Sequence, residues 1–117
     1  MNYYGIADFV TLLEGTGPWR RKHRAAEYGD PEHHTSLFAR ISPIHRIDRV
    51  RTPLLVAHGV RDPRVPIGES EQIVSALRGH GKKVIYLTFD YAGHGFVRAD
   101  DKQRVYRAVA DFFTEHL

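Results

Sequence analysis

The 117 residues are enough for one small domain and too few for a second independent core, so positions 1–117 are read as a single partial domain. Seventeen basic residues against 14 acidic leave a net charge of +3, and 42% hydrophobic with 26% charged residues is an ordinary globular balance. There is no cysteine, which excludes disulfides, thiolate zinc sites and a cysteine nucleophile, and no apolar run approaches the roughly 20 residues a membrane helix requires.

The N-terminus, Met1-Asn2-Tyr3-Tyr4-Gly5, has neither the basic flank nor the apolar stretch of a secretory signal, so a cytoplasmic location without membrane contact is expected. Tyr3 to Asp8 reads as a strand end passing into a loop. Phe9, Leu12 and Leu13 then recur at helical spacing behind Asp8, a suitable N-cap, and Gly15-Thr16-Gly17-Pro18 stops that helix. A second short helix is predicted over Trp19–Tyr28, ended by Gly29-Asp30-Pro31, and a third over Glu32–Ile41, ended by Ser42-Pro43. Trp19 and Tyr28 are expected to pack beneath this irregular and helical stretch, which runs from 8 to 51, with lining of a substrate pocket as the alternative. Arg20, Arg21, Lys22 and Arg24, and the scattered Arg46, Arg49 and Arg51, are interrupted by Glu27, Asp30, Glu32 and Asp48. That mixture reads as solvated surface rather than a nucleic-acid footprint, which would pair a basic face with stacking aromatics. His23 and the pair His33-His34 lack partners at metal-ligand spacing, so neither metal nor cofactor is expected.

From residue 53 the pattern sharpens. Pro53-Leu54-Leu55-Val56-Ala57 is continuously apolar, as in a parallel strand buried on both faces, and a strand over 53–58 is expected. A helix over 69–79 follows, with Ile73, Val74 and Leu77 on one face and Gly79 and Gly81 at its end. Val84 to Phe89 is rich in β-branched and aromatic residues and forms the next strand. The closing helix, about 102–116, carries Val105, Tyr106, Val109, Phe112 and Phe113 at three- and four-residue spacing. Two strands joined by a helix are parallel with a right-handed crossover, and in such sheets function gathers outside the carboxyl ends of the strands.

Two short motifs sit at that edge: Gly59-Val60-Arg61-Asp62-Pro63-Arg64-Val65-Pro66 and Ala92-Gly93-His94-Gly95-Phe96. Adjacent strands lie about 4.8 Å apart, so residues displayed from their ends can touch. In acyl transfer a carboxylate orients an imidazole through its Nδ1 proton while the imidazole takes the proton of a nucleophile. Asp62 and His94 suit those two parts. Each alone also reads as something plainer: Asp62-Pro63 as a turn opener, Gly93-His94-Gly95 as a glycine loop with an incidental histidine. His58 reads as a packing or loop-orienting residue rather than a second base.

The run Ser42-Pro43, Pro53-Leu54-Leu55-Val56-Ala57-His58-Gly59, Asp62-Pro63-Arg64-Val65-Pro66, Glu69-Ser70, Leu77, Gly81 and Gly93-His94-Gly95-Phe96 resembles the end of a prolyl oligopeptidase family catalytic domain. Glu27-Tyr28-Gly29-Asp30-Pro31 and Tyr4-Gly5-Ile6-Ala7-Asp8 resemble the preceding segment in acylaminoacyl-peptidase-like members. The resemblance implies an α/β-hydrolase fold with Asp62 as triad acid, His94 as triad base and a serine on a Gly-x-Ser-x-Gly elbow upstream. No such elbow occurs in these residues. Ser36 and Ser42 lie in other contexts, and Ser70, after the acid, reads as an early helix residue. The expectation is therefore a C-terminal fragment of a serine peptidase, inactive by itself, acting in the full-length protein on peptides or other acyl compounds. A small-ester or dienelactone-type hydrolase and a non-catalytic association module are the alternatives. Cut from an interior-type sheet, the fragment is expected to self-associate through its exposed edge.

Overall fold

A computed structural model of the chain describes residues 1–16, 18–29 and 34–117, with the backbone alone for Pro18, Trp19 and Thr35. The expected packing of the Trp19 side chain, and the readings of Gly17, Asp30, Pro31, Glu32 and His33, lie outside the described residues. Strand β1 (Asn2–Tyr3) is followed by α1 (Phe9–Glu14), α2 (Pro18–Tyr28), α3 (Thr35–Ile41) and a 3-10 segment (Pro43–Arg49). Then come β2 (Leu54–Gly59), α4 (Gly68–Gly79), β3 (Val84–Phe89) and α5 (Ala99–His116). No helix among the described residues is long and apolar enough to cross a membrane.

The sheet is parallel throughout, in the order β1-β2-β3. Its third strand, β1, is the strand end expected near Tyr3, and it joins the two strands expected at 53–58 and 84–89. Two residues are too short to leave a periodic signature, yet Asn2 and Tyr3 pair with Val56 and Ala57. Between β2 and β3 the register runs unbroken from Leu54↔Val84 to Gly59↔Phe89. Both strands therefore end at one level, and the loops after them start side by side.

Alternation along β2 explains its unbroken apolar run. Val56 packs with Ala7, Ile47, Ile73, Val74 and Leu77 beneath α4, whereas Leu55 and Ala57 pack with Phe89, Ala92, Val105 and Phe112 beneath α5. The helices thus cover opposite faces of the sheet. Each fully buried Leu or Val contributes about 1.5–3 kcal/mol of transfer free energy.

α1 starts as expected, the Asp8 carboxylate accepting the Val10 amide at 2.9 Å. Gly81, at φ 70°, ends the turn after α4 and lets the Lys82 amide reach the Leu77 carbonyl at 2.9 Å. In α5 only part of the apolar stripe is covered. Val105 and Phe112 are buried, but Tyr106 and Phe113 are 67% and 36% exposed.

Candidate active site

The loop that carries Asp62 begins where β2 ends and is stitched to the loop that carries His94 by main chain. Val60 donates to the Phe89 carbonyl and Arg61 to the Ala92 carbonyl, both at 3.0 Å. Asp62 then turns back on its own loop: Oδ1 accepts the amides of Arg64 at 2.8 Å and Val65 at 2.9 Å. Pro63 has no amide to compete for that oxygen. The turn leaves Oδ2 pointing to the neighbouring loop, where His94 Nδ1 lies 2.7 Å away.

The Asp62 side chain is inaccessible to solvent, and the His94 side chain is 31% exposed. Burial alone would push the Asp62 carboxyl up. The Val65 amide, the His94 ring and the Arg64 amide together outweigh it and hold the group below the usual carboxylate range. An ionised carboxylate only accepts, so the His94 proton is assigned to Nδ1. That leaves Nε2 with a lone pair and no partner among the described residues.

Two features fix the His94 ring. The loop that carries it turns tightly, with Ala92 donating to the Phe89 carbonyl at 3.2 Å and Gly95 to the Gly93 carbonyl at 3.0 Å. Gly95 sits at φ 141°, open to glycine and rarely to other residues. On its other side the ring meets Tyr4 at a centroid distance of 4.4 Å. Tyr4 itself holds φ 41°, a strained value for an aromatic residue, directly after β1.

His58 is fully buried at the end of β2. Its Nε2 lies 2.9 Å from the Val65 carbonyl and 3.3 Å from Asp62 Oδ2, and its Nδ1 lies 2.6 Å from Ser70 Oγ. Ser70, His58 and Asp62 thus form a serine–histidine–aspartate chain. With Ser70 and His58 both at 0% exposure, no substrate reaches it. The loop-orienting part expected of His58 matches these contacts, and Ser70 stands in the first turn of α4, as expected of an early helix residue.

Next to Ser70, the buried carboxylate of Glu69 accepts the amides of Ala7 at 3.2 Å and Asp8 at 3.0 Å and the Thr11 hydroxyl at 2.6 Å. It ties α4 to the start of α1. Nothing in the sequence pointed to Glu69 or Tyr4, apart from their presence in the resembling motifs.

A cleft of about 640 Å³ opens beside His94, lined among others by Ile6, Arg24, Tyr28, Arg64 and Val65. Arg24 reaches across it to the Arg64 carbonyl at 2.5 Å. An acid, an imidazole with a free nitrogen and an adjoining cleft make an arrangement suited to proton transfer in acyl chemistry.

Comparison with known proteins gives the chain's family. The model of the prolyl oligopeptidase family matches residues 1–117. Dipeptidyl aminopeptidase BIII of Pseudoxanthomonas mexicana is 34% identical over 114 residues, which are 93% of this chain and 16% of the relative. The uncharacterized peptidase YuxL of Bacillus subtilis is 38% identical over 120 residues, covering 100% of this chain and 17% of the relative. Among solved structures, a puromycin-hydrolyzing peptidase of Mycobacterium tuberculosis superposes with a TM-score of 0.90 at 30% identity, over 98% of this chain and 18% of that one. The chain thus spans about a sixth of the proteins it matches, and its parallel sheet flanked by helices is part of an α/β-hydrolase fold. Matched from its first residue to its last, the chain belongs to the prolyl oligopeptidase family.

Proposed function

We propose that this chain supplies the acid and the base of a serine peptidase whose nucleophile stands elsewhere in the same polypeptide. The observation that carries the reading is the 2.7 Å contact between Asp62 Oδ2 and His94 Nδ1, with Nε2 left free beside a cleft. In the reaction, Nε2 takes the proton of a serine hydroxyl as its oxygen attacks the peptide carbonyl, then delivers that proton to the departing amine. Asp62 holds the ring in the required tautomer and stabilises the imidazolium that forms. Substrates are short peptides with free or acylated N-termini, a class supported by the peptidases among the relatives. The 117 residues contain no Gly-x-Ser-x-Gly, so the isolated chain is expected to turn over nothing.

The test uses the complete reading frame that contains these residues, assayed on dipeptidyl and acyl-peptidyl anilides and on short esters. Amide turnover is expected, with His94→Ala abolishing it and Asp62→Asn lowering kcat by about 10⁴-fold through loss of the correct tautomer. Turnover that survives His94→Ala intact would overturn the reading. Hydrolysis confined to the esters would replace the peptidase with an ester hydrolase on the same residues.

A further inference from the structure

We infer that His58 is a positioning residue of this site: its Nε2–H holds the acid loop in the shape that turns Asp62 Oδ2 toward His94, and Ser70 locks the required tautomer. The inference rests on the reading of Asp62 and His94 as acid and base.

Proton accounting carries it. Nε2 faces the Val65 carbonyl at 2.9 Å and the Asp62 carboxylate at 3.3 Å, and both groups only accept. The proton must therefore sit on Nε2, donated chiefly to Val65 and secondarily to Asp62. A neutral ring with its proton there has a bare Nδ1, which needs a donor. Ser70 Oγ, 2.6 Å away, supplies one. The ring is fully buried, so water cannot substitute for either contact.

The consequence reaches the site through Val65. That residue's amide donates to Asp62 Oδ1 and its carbonyl accepts from His58, so one peptide segment closes the Asp62 turn and anchors it to β2. Ser70 extends the anchor to the first turn of α4. Removing the His58 donor frees the Val65 carbonyl to rotate and loosens Oδ2, which then meets His94 less often in line. The larger effect is expected in kcat, because neither His58 nor Ser70 lines the cleft; Val65 does line it, so a smaller change in KM accompanies the loss.

In the complete protein, His58→Leu keeps the volume without the donor, and His58→Gln returns an N–H near the Nε2 position. His58→Leu is expected to lower kcat by about tenfold to a hundredfold with KM within about twofold, as sub-ångström misplacement does. His58→Gln is expected to recover most of that loss, and Ser70→Ala to show a smaller fall in kcat. Wild-type kcat in a folded His58→Leu protein overturns the inference. Where that variant does not fold, Ser70→Ala decides together with 15N-histidine spectra of the unsubstituted protein. The spectra should show His58 protonated at Nε2 alone, and an Nδ1–H tautomer or a charged ring overturns the inference. His94→Ala separates the two claims. If it leaves activity intact, the acid–base reading fails and takes this inference with it; if it abolishes activity while His58→Leu and Ser70→Ala behave as wild type, the inference alone fails.

Discussion

Gly59→Ala probes the closeness of the acid and base loops without touching a polar group. A Cβ added at Gly59 would stand 2.6 Å from the Ala92 carbonyl carbon and closer still to the carbonyl oxygens of Ala92 and Gly93. Ordinary contacts of this kind begin near 3.4 Å, the nearest obstructing atom, the Ala92 carbonyl oxygen, would stand at 2.3 Å, and the obstructing atoms are backbone, so the loop that carries His94 must retreat by about 1.1 Å. His94 follows Gly93, and the Asp62–His94 distance of 2.7 Å would open to about 3.8 Å, outside hydrogen-bond range. Overpacking of this sort costs about 1–3 kcal/mol, or roughly 4–12 °C in Tm for a domain of this size. The kinetic loss in the complete enzyme should approach 10²-fold in kcat, the usual consequence of misplacing a reacting group by about 1 Å. Thermal unfolding and steady-state kinetics would be run beside Gly79→Ala, where a Cβ meets nothing within 4 Å and a neutral or slightly stabilising outcome is expected. If Gly59→Ala retains wild-type Tm and kcat, the loops are not wedged as described and the reasoning fails.

The Asp62 carboxyl is held below its ordinary range, so its stabilising contribution is complete above a pH of about 4 and disappears as pH falls through the lowered value. Tm measured against pH for wild type and Asp62→Asn should show a gap that is constant near neutrality and closes on acidification; a gap that widens would reverse the sign. Glu69→Ala strips the Ala7 and Asp8 amides and the Thr11 hydroxyl of their acceptor, and urea unfolding should register a loss of about 3 kcal/mol. A loss under about 1 kcal/mol would mean that water replaces the carboxylate. The isolated 117 residues should self-associate at micromolar concentration, since Tyr106 and Phe113 stay exposed and the radius of gyration, 15.2 Å, exceeds the about 13 Å of a self-sufficient domain of this length. Sedimentation that shows one cooperatively unfolding monomer would contradict this.

The strand runs at 54–59 and 84–89 were legible because a parallel strand flanked by helices has no polar face, and continuous apolarity survives in the sequence as a local signal. The juxtaposition of Asp62 and His94 was legible for a related reason: their common position beyond two paired strands follows from topology, without any knowledge of side-chain packing. The anchoring shell is different. Ser70 reaches His58 only because α4 docks on the Val56 face of the sheet, and Glu69 meets Ala7 across 62 residues for the same reason. No window of neighbouring residues encodes such contacts. Tyr4 was illegible on other grounds, since an aromatic residue at positive φ contradicts local preference and is sustained only by its surroundings. The exposure of Tyr106 and Phe113 had no signature in helical periodicity, which tells which residues share a face and not how much sheet lies beneath it.

Asp62 divides its two oxygens between separate tasks, Oδ1 closing its own turn and Oδ2 meeting the rings. The position is therefore chosen by reach as much as by charge. A glutamate would bring the same negative charge one methylene further out and would have to close a larger ring to reach the Arg64 and Val65 amides. Aspartate braces the loop that carries it while facing outward from it, so the proposed chemistry and the local architecture share a single carboxylate.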